Sequence, residues 1–157
     1  MTPNKLLWKS GCVKRWHCNL DHHLRESGDT TGAHSQRMAM LLLMLHPLPS
    51  AHLLACVLTH DTQEIMTGDM PSPAKNGAVG KVMEDFERSV AESLGLPIPS
   101  DKDKKWVTLC DKLDAILWIG EYAPYLLATD RSVAEISLVM DIASELGVAE
   151  KVMKFLG

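Results

Sequence analysis

The sequence predicts an all-α protein, and three observations carry that expectation. Leucine, alanine and methionine dominate the apolar residues in place of the β-branched side chains that strands prefer, and only 5% of the chain is aromatic. Apolar residues recur at helical spacing, as in Leu53, Leu54, Val57 and Leu58, or Ile136, Val139, Met140 and Ala143. Glycine and proline punctuate these runs at Gly11, His46-Pro47, Gly95, Pro97, Pro99 and Gly147. A chain of 157 residues fits one domain over 1–157, since domains run roughly 100 to 200 residues. It contains no internal repeat, linker or low-complexity segment.

Taken in order, Thr2-Pro3 starts a short helix over residues 4–10, with proline tolerated at the first helical position and Gly11 as the stop. The basic cluster Lys14-Arg15-Trp16-His17 falls in a turn or a second short helix. Arg15 beside Trp16 suits a nucleotide, the guanidinium forking onto phosphate and the indole offering a stacking face; a surface arginine beside a core tryptophan is the competing account. Residues 19–32 are polar and read as a loop in which His22 and His23 are solvated. Thr30 or Thr31 caps a periodic helix over 33–45, with His34 in its first turn and His46-Pro47 at its end.

Ser50 caps the next helix, which runs to about Met66 and carries His60-Asp61 in its last third. The run Gly68-Asp69-Met70-Pro71-Ser72-Pro73 must break that helix, and its two prolines make a stiff rim presenting Asp69 and Lys75. A charged amphipathic helix over 79–94 follows, with Val82, Phe86 and Val90 on one face. Lys102, Lys104 and Lys105 read as a solvated charge run ahead of a helix over 106–119, whose apolar surface is interrupted by Asp111. Gly120-Glu121-Tyr122 continues or bends that helix, Pro124 opens another turn, and two last helices occupy 132–146 and 148–155.

A net charge of −4 gives no electrostatic footprint for a nucleic acid polymer, so a small-molecule ligand is expected. The four cysteines, Cys12, Cys18, Cys56 and Cys110, form no CxxC pair, and the N-terminus lacks the apolar core of a signal peptide. Reduced thiols in a cytoplasmic protein are expected. The apolar run 38–45 is far shorter than the roughly 20 residues that span a bilayer, so no membrane anchor is expected.

The densest chemistry lies in residues 58–75, where a His60-Asp61 doublet, Glu64 one helical turn later and a Gly-Asp-Met-Pro loop fall together. On a helix, His60 and Asp61 project about 100° apart and Glu64 returns to the side of both, so all three border one cavity. Imidazole and carboxylate together suit a divalent ion such as Zn, Co, Mn or Fe, but the doublet is too small to fill a coordination sphere. His34 can contribute from an earlier helix. Asp111, flanked by core positions, is costly unless paired or metal-bound, with Asp114 as its competitor three residues on.

A histidine, a His-Asp doublet and a distant aspartate resemble the signature of HD-domain phosphohydrolases. The segment HDTQEIMTGDMPSPAK is similar to the HDxxExxTGDxPxPxK segment of the YfbR-type 5'-deoxynucleotidases. Arg15-Trp16 matches that group's Arg-Trp pair, and Ala33-His34-Ser35 its histidine-serine helix start; the resemblance covers roughly the N-terminal three quarters. It implies a single compact HD-domain helical bundle with His34, His60, Asp61 and Asp111 binding one divalent metal: Co, Zn, Mn or Mg. It further implies that Glu64 positions or deprotonates the attacking water and that Asp69 contacts the sugar or leaving oxygen. Arg15 and Lys75 would bind phosphates, Trp16 the deoxyribose or base, and Lys81 the outer phosphates of a triphosphate. Cys18, after the Arg-Trp-His turn, would press on the purine C2 edge. Relatives often carry lysine three residues before the last aspartate; here Thr108 stands there, so Lys104, Lys105 or Lys112 substitutes or one phosphate contact is missing.

The short interval between Asp61 and Asp111 resembles the compact phage dATP triphosphohydrolases within that group. This implies hydrolysis of dATP to deoxyadenosine and tripolyphosphate in the host cytoplasm of a phage that replaces adenine by 2-aminoadenine. A 5'-deoxynucleotidase acting on monophosphates and a non-catalytic nucleotide-binding protein are the alternatives. The resemblance also implies a homo-oligomer, a dimer or a hexamer.

Overall fold

A computed structural model of the protein describes residues 2–70 and 77–157. Among them the architecture is all-α, as expected: no strand is present, and the sole isolated β-bridge is antiparallel, between Lys14 and Thr30. No helix among the described residues is long and apolar enough to cross a membrane. The chain forms two compact units, one from Met1–Gln36 with Leu58–Ile98, the other from Arg37–Val57 with Pro99–Gly157.

In the first unit, α1 (Pro3–Lys9) has proline in its first turn and runs into a 3-10 turn, Ser10–Cys12. The segment after it is laced to the start of α3 (Thr31–Leu45): Thr31 Oγ1 donates to the Ser10 carbonyl at 2.6 Å and Thr31 N to Val13 O at 2.9 Å. Glycine makes this approach possible, because a Cβ on Gly32 would stand 2.9 Å from Gly11 O and 3.1 Å from Gly11 Cα.

The polar stretch expected to be a loop holds a further short helix, α2 (His22–Arg25). Asp21 caps it, accepting from His23 N at 3.0 Å and Leu24 N at 3.2 Å, and Leu24 is fully buried. The local cap and one apolar anchor outweigh the polar composition.

α4 (Ala51–Thr59) stops at Thr59 rather than near Met66, and a separate short helix, α5 (Glu64–Thr67), follows. Gln63 Nε2 donates to the His60 carbonyl, while Thr62 N bonds Thr59 O at 3.1 Å and Glu64 N bonds Asp61 O at 3.0 Å. A side-chain amide thus takes the carbonyl that a helix would have offered to residue 64, and the backbone tightens into successive turns. His60 and Asp61 therefore sit in a turn, not on a helix face. Gly68, at φ +73°, closes α5 with its N–H on Glu64 O at 2.7 Å. Asp69 follows; Pro71–Asn76, including Lys75, lies outside the described residues. α6 (Gly77–Ser93) leaves Val82 and Phe86 exposed and ends in a Schellman motif, Leu96 N on Ala91 O at 2.9 Å and Gly95 N on Glu92 O at 3.1 Å.

In the second unit the apolar core gathers Met38, Leu42 and Leu45 of α3 and Leu53 and Val57 of α4. Leu109 and Leu113 of α7 (Asp101–Tyr122), Val139 and Ala143 of α8 (Asp130–Glu145), and Val152 of α9 (Ala149–Leu156) complete it. α7 begins five residues before the expected start. Ser100 caps it, its Oγ accepting from Asp103 N at 3.2 Å and donating to Asp103 Oδ2 at 2.7 Å, with Asp101 and Asp103 in the first turn complementing the helix dipole. The lysines read as a solvated run ride on that first turn and a half.

Candidate metal centre

His34 lies in the first turn of α3 with no solvent exposure. Its Nε2 stands 3.2 Å from His60 Nε2. Asp61 Oδ2 is 3.0 Å from His60 Nε2 and 3.6 Å from His34 Nε2, so three donor atoms from the α3 start and the α4–α5 turn close on one point. Donors held around a divalent ion at about 2.1 Å lie about 3.0 to 3.4 Å apart, so two edges of this triangle match one face of a coordination sphere and the third, at 3.6 Å, is slightly longer. Burial by itself would push the Asp61 carboxyl up; the His60 charge and hydrogen bond, then His34 and Arg15, outweigh it and hold the group well below the usual carboxylate range. Asp61 is thus ionised at neutral pH, the form a metal needs. Glu64 follows at the start of α5, buried at 3% exposure.

Arg15, Trp16 and Asp69 come together in the same unit. Trp16 N donates to Asp69 Oδ2 at 2.7 Å, and the Arg15 guanidinium carbon lies 5.3 Å from the centre of the Trp16 ring. Trp16 adopts φ +64°, a left-handed conformation that costs a bulky residue about 1–2 kcal/mol. Sequence reasoning missed the residue beneath them, Asp29, whose Oδ2 accepts from Arg15 Nη1 at 3.0 Å and from Trp16 Nε1 at 3.2 Å. A carboxylate after Gly28 reads as a turn residue, and the only hint was that two adjacent side-chain donors, Arg15 and Trp16, need an acceptor once buried. A Cβ on Gly68 would lie 3.7 Å from His17 Cε1, so the Arg-Trp turn packs against the loop that carries Asp69.

Cys18 is an exposed thiol in the turn after Trp16, and Lys81 is exposed on α6. His22 and His23 are solvated, as expected.

On α7 the structure separates the two competing aspartates. Asp114 is the buried one, at 2% exposure, and it accepts from Arg37 Nε at 2.7 Å and Nη2 at 3.0 Å while the guanidinium lies 4.1 Å from the Trp118 ring centre. Its carboxylate is committed to a forked ion pair. Asp111, expected to be the buried acid, is half-buried. The lysines considered as stand-ins for the missing one at Thr108 each pair with an acid: Lys104 with Asp101 at 3.4 Å, Lys105 with Glu145 and Lys112 with Glu135, both at 2.5 Å.

A helical fold that folds a lone histidine against a His-Asp doublet, with a buried glutamate next along the chain, defines an HD-type metal hydrolase. The sequence profile of the YfbR-like 5'-deoxynucleotidases matches residues 7–138, well over half the chain, and the protein belongs to that family. It is accordingly a metal-dependent nucleotide phosphohydrolase. Comparison with curated proteins and comparison with solved structures each give no significant match.

Proposed function

We propose that the protein hydrolyses a deoxynucleoside triphosphate, dATP first among them, at the α-phosphorus. Water adds to phosphorus, the bond to the 5' oxygen breaks, and deoxyadenosine and tripolyphosphate leave. The observation that carries hydrolysis is the His34, His60 and Asp61 triangle followed in sequence by the buried Glu64. The triphosphate and the phage setting rest on the short interval between Asp61 and Asp111.

In this reading His34, His60, Asp61 and Asp111 hold one divalent ion, Co, Zn, Mn or Mg, which when bound supplies Lewis-acid polarisation of the phosphoryl oxygen. Asp111 is the acid chosen on α7 because Asp114 is taken by Arg37. Glu64 takes the proton of the attacking water. Asp69 faces the leaving sugar oxygen while holding the Trp16 N–H. Arg15 and Lys75 bind phosphate oxygens, Lys81 the outer phosphates, and Trp16 the deoxyribose or base. Cys18 narrows the space at the purine C2 edge against the amino group of guanine, and that role is dropped if Cys18→Gly leaves the ratio of dATP to dGTP turnover unchanged.

The family's own description favours a second reading, a 5'-deoxynucleotidase releasing phosphate from deoxynucleoside monophosphates. Incubation with a panel of deoxynucleoside mono- and triphosphates and Mn or Co decides between them. Tripolyphosphate supports the first reading, orthophosphate from monophosphates replaces it with the second, and binding without turnover leaves a nucleotide-binding protein that has kept Glu64. Assembly as a homo-oligomer in the cytoplasm belongs to the same proposal, and sedimentation of the protein tests the oligomer.

A further inference from the structure

Asp29 has no part in the reaction as written, yet its side chain is wholly shielded from solvent. It lies between α2 and α3, and it grips one dipeptide from several directions. Oδ2 accepts from Arg15 Nη1 at 3.0 Å and from Trp16 Nε1 at 3.2 Å, and the Asp29 main-chain carbonyl accepts from Arg15 N at 3.1 Å. Oδ1 in turn accepts from Thr30 N at 3.0 Å, which fixes the plane of the carboxylate. Buried ion pairs stabilise folds poorly, because desolvation offsets most of the attraction. Stability alone is thus a weak reason for this arrangement.

The backbone supplies a better one. Trp16 sits at φ +64°, a conformation that a bulky side chain keeps only where its surroundings over-determine it. Asp69 holds the Trp16 main-chain N–H at 2.7 Å, and Asp29 holds the far end of the indole. Cutting the second tether lets the ring and the neighbouring guanidinium swing, which spreads the pair over several rotamers and adds an ordering cost to binding.

We infer that Asp29 is a positioning residue: it presets the Arg15 guanidinium and the Trp16 indole as one rigid clamp for the phosphate and the sugar-base of a deoxynucleotide. The inference rests on the proposed function for the identity of what is clamped. It assigns Asp29 to substrate recognition and leaves the chemical step and the metal to other residues.

Asp29→Asn is the direct test, because an amide cannot accept on both sides: either Thr30 N or the Arg15 and Trp16 donors then face an NH₂ group. With dATP or the preferred deoxynucleotide and Mn, KM rises about tenfold or more while kcat stays within about threefold, as loosening of the groups that bind substrate, with the reacting centre untouched, requires. Mn affinity measured by calorimetry does not change. In an Arg15→Gln background the same substitution costs less, because the part of its effect that runs through Arg15 is already gone and only the Trp16 tether remains to be lost. Trp16→Phe, which keeps a ring but removes the donor, raises KM in the same direction and serves if Asp29→Asn folds poorly.

A readout independent of turnover is the Trp16 indole N–H resonance, assigned by its loss in Trp16→Phe. It exchanges slowly in the wild type and at least about tenfold faster in Asp29→Asn. An unchanged KM, fully multiplicative losses in the double variant, or unaltered indole exchange overturns the inference. If the wild type turns over no deoxynucleotide, the functional reading falls, and indole exchange still decides whether the clamp exists.

Discussion

Replacing Arg37 by methionine removes the partner of a buried carboxylate while keeping an unbranched apolar stem for the Trp118 ring. Asp114 is 2% exposed and accepts from both Nε and Nη2 of Arg37, so the substitution leaves an uncompensated charge inside the second unit. Breaking such a pair from one side costs about 3–5 kcal/mol. The Arg37 side chain keeps 27% of its exposure, so water reaches the site and the lower end, about 3 kcal/mol, applies. For a chain of this size that corresponds to a fall in Tm of about 6–12 °C. Urea unfolding of wild type, Arg37→Met, Asp114→Asn and the double variant measures the loss and the coupling. Because the carboxylate is structural, Asp114→Asn keeps Mn affinity within about twofold, whereas Asp111→Asn lowers it by well over tenfold. A loss below about 1 kcal/mol for Arg37→Met, or Mn binding abolished by Asp114→Asn at unchanged stability, would refute the division of labour between these two acids.

Four further outcomes are expected. His60→Ala removes one corner of the donor triangle and lowers Mn or Co affinity by about a hundredfold or more in calorimetry; in the wild type, chelation abolishes hydrolysis and added Mn or Co restores it. Gly32→Ala drives a methyl to within 2.9 Å of the Gly11 carbonyl and costs about 1–3 kcal/mol in urea unfolding, while Gly11→Ala, whose methyl would stand 3.2 Å from Gly32 Cα, costs less; no loss for Gly32→Ala would mean that the two backbones part freely. Burial, then the charges of Asp111 and Asp114, push the Cys110 thiol up to about 12 from 9.0. Between pH 9 and 12 the unfolded chain therefore releases a proton that the native protein keeps, so this thiol's contribution is full below pH 9 and falls as pH rises; Cys110→Ala flattens the slope of unfolding free energy against pH in that window. At pH 8 a thiol reagent labels the exposed Cys12 and Cys18 quickly and the buried Cys56 and Cys110 only on unfolding.

The sequence by itself determined the helical class and most helix positions, because those depend on contacts within one or two turns: a cap at Thr30 or Ser50, left-handed glycines at Gly95 and Gly147, prolines where N–H groups are not needed. It also carried the resemblance to the phosphohydrolase signature, since His60, Asp61 and Glu64 are near neighbours in the chain. Where local signals were overlooked, as in α2 and the first turn of α7, the caps were present in the sequence but polar composition masked them. Only the tertiary structure decided that α4 ends at Thr59, because a Gln63 side chain takes a backbone carbonyl and hydrophobic periodicity does not register that bond. It alone showed Asp114 to be the buried acid, held by Arg37 from 77 positions away. It alone found Asp29, whose place beneath Arg15 and Trp16 depends on a chain reversal that brings Lys14 opposite Thr30. The physical reason is common to these cases: a carboxylate becomes a ligand, an ion-pair partner or a clamp according to which donors the fold brings to it, and those donors are chosen by packing rather than by neighbours in the chain.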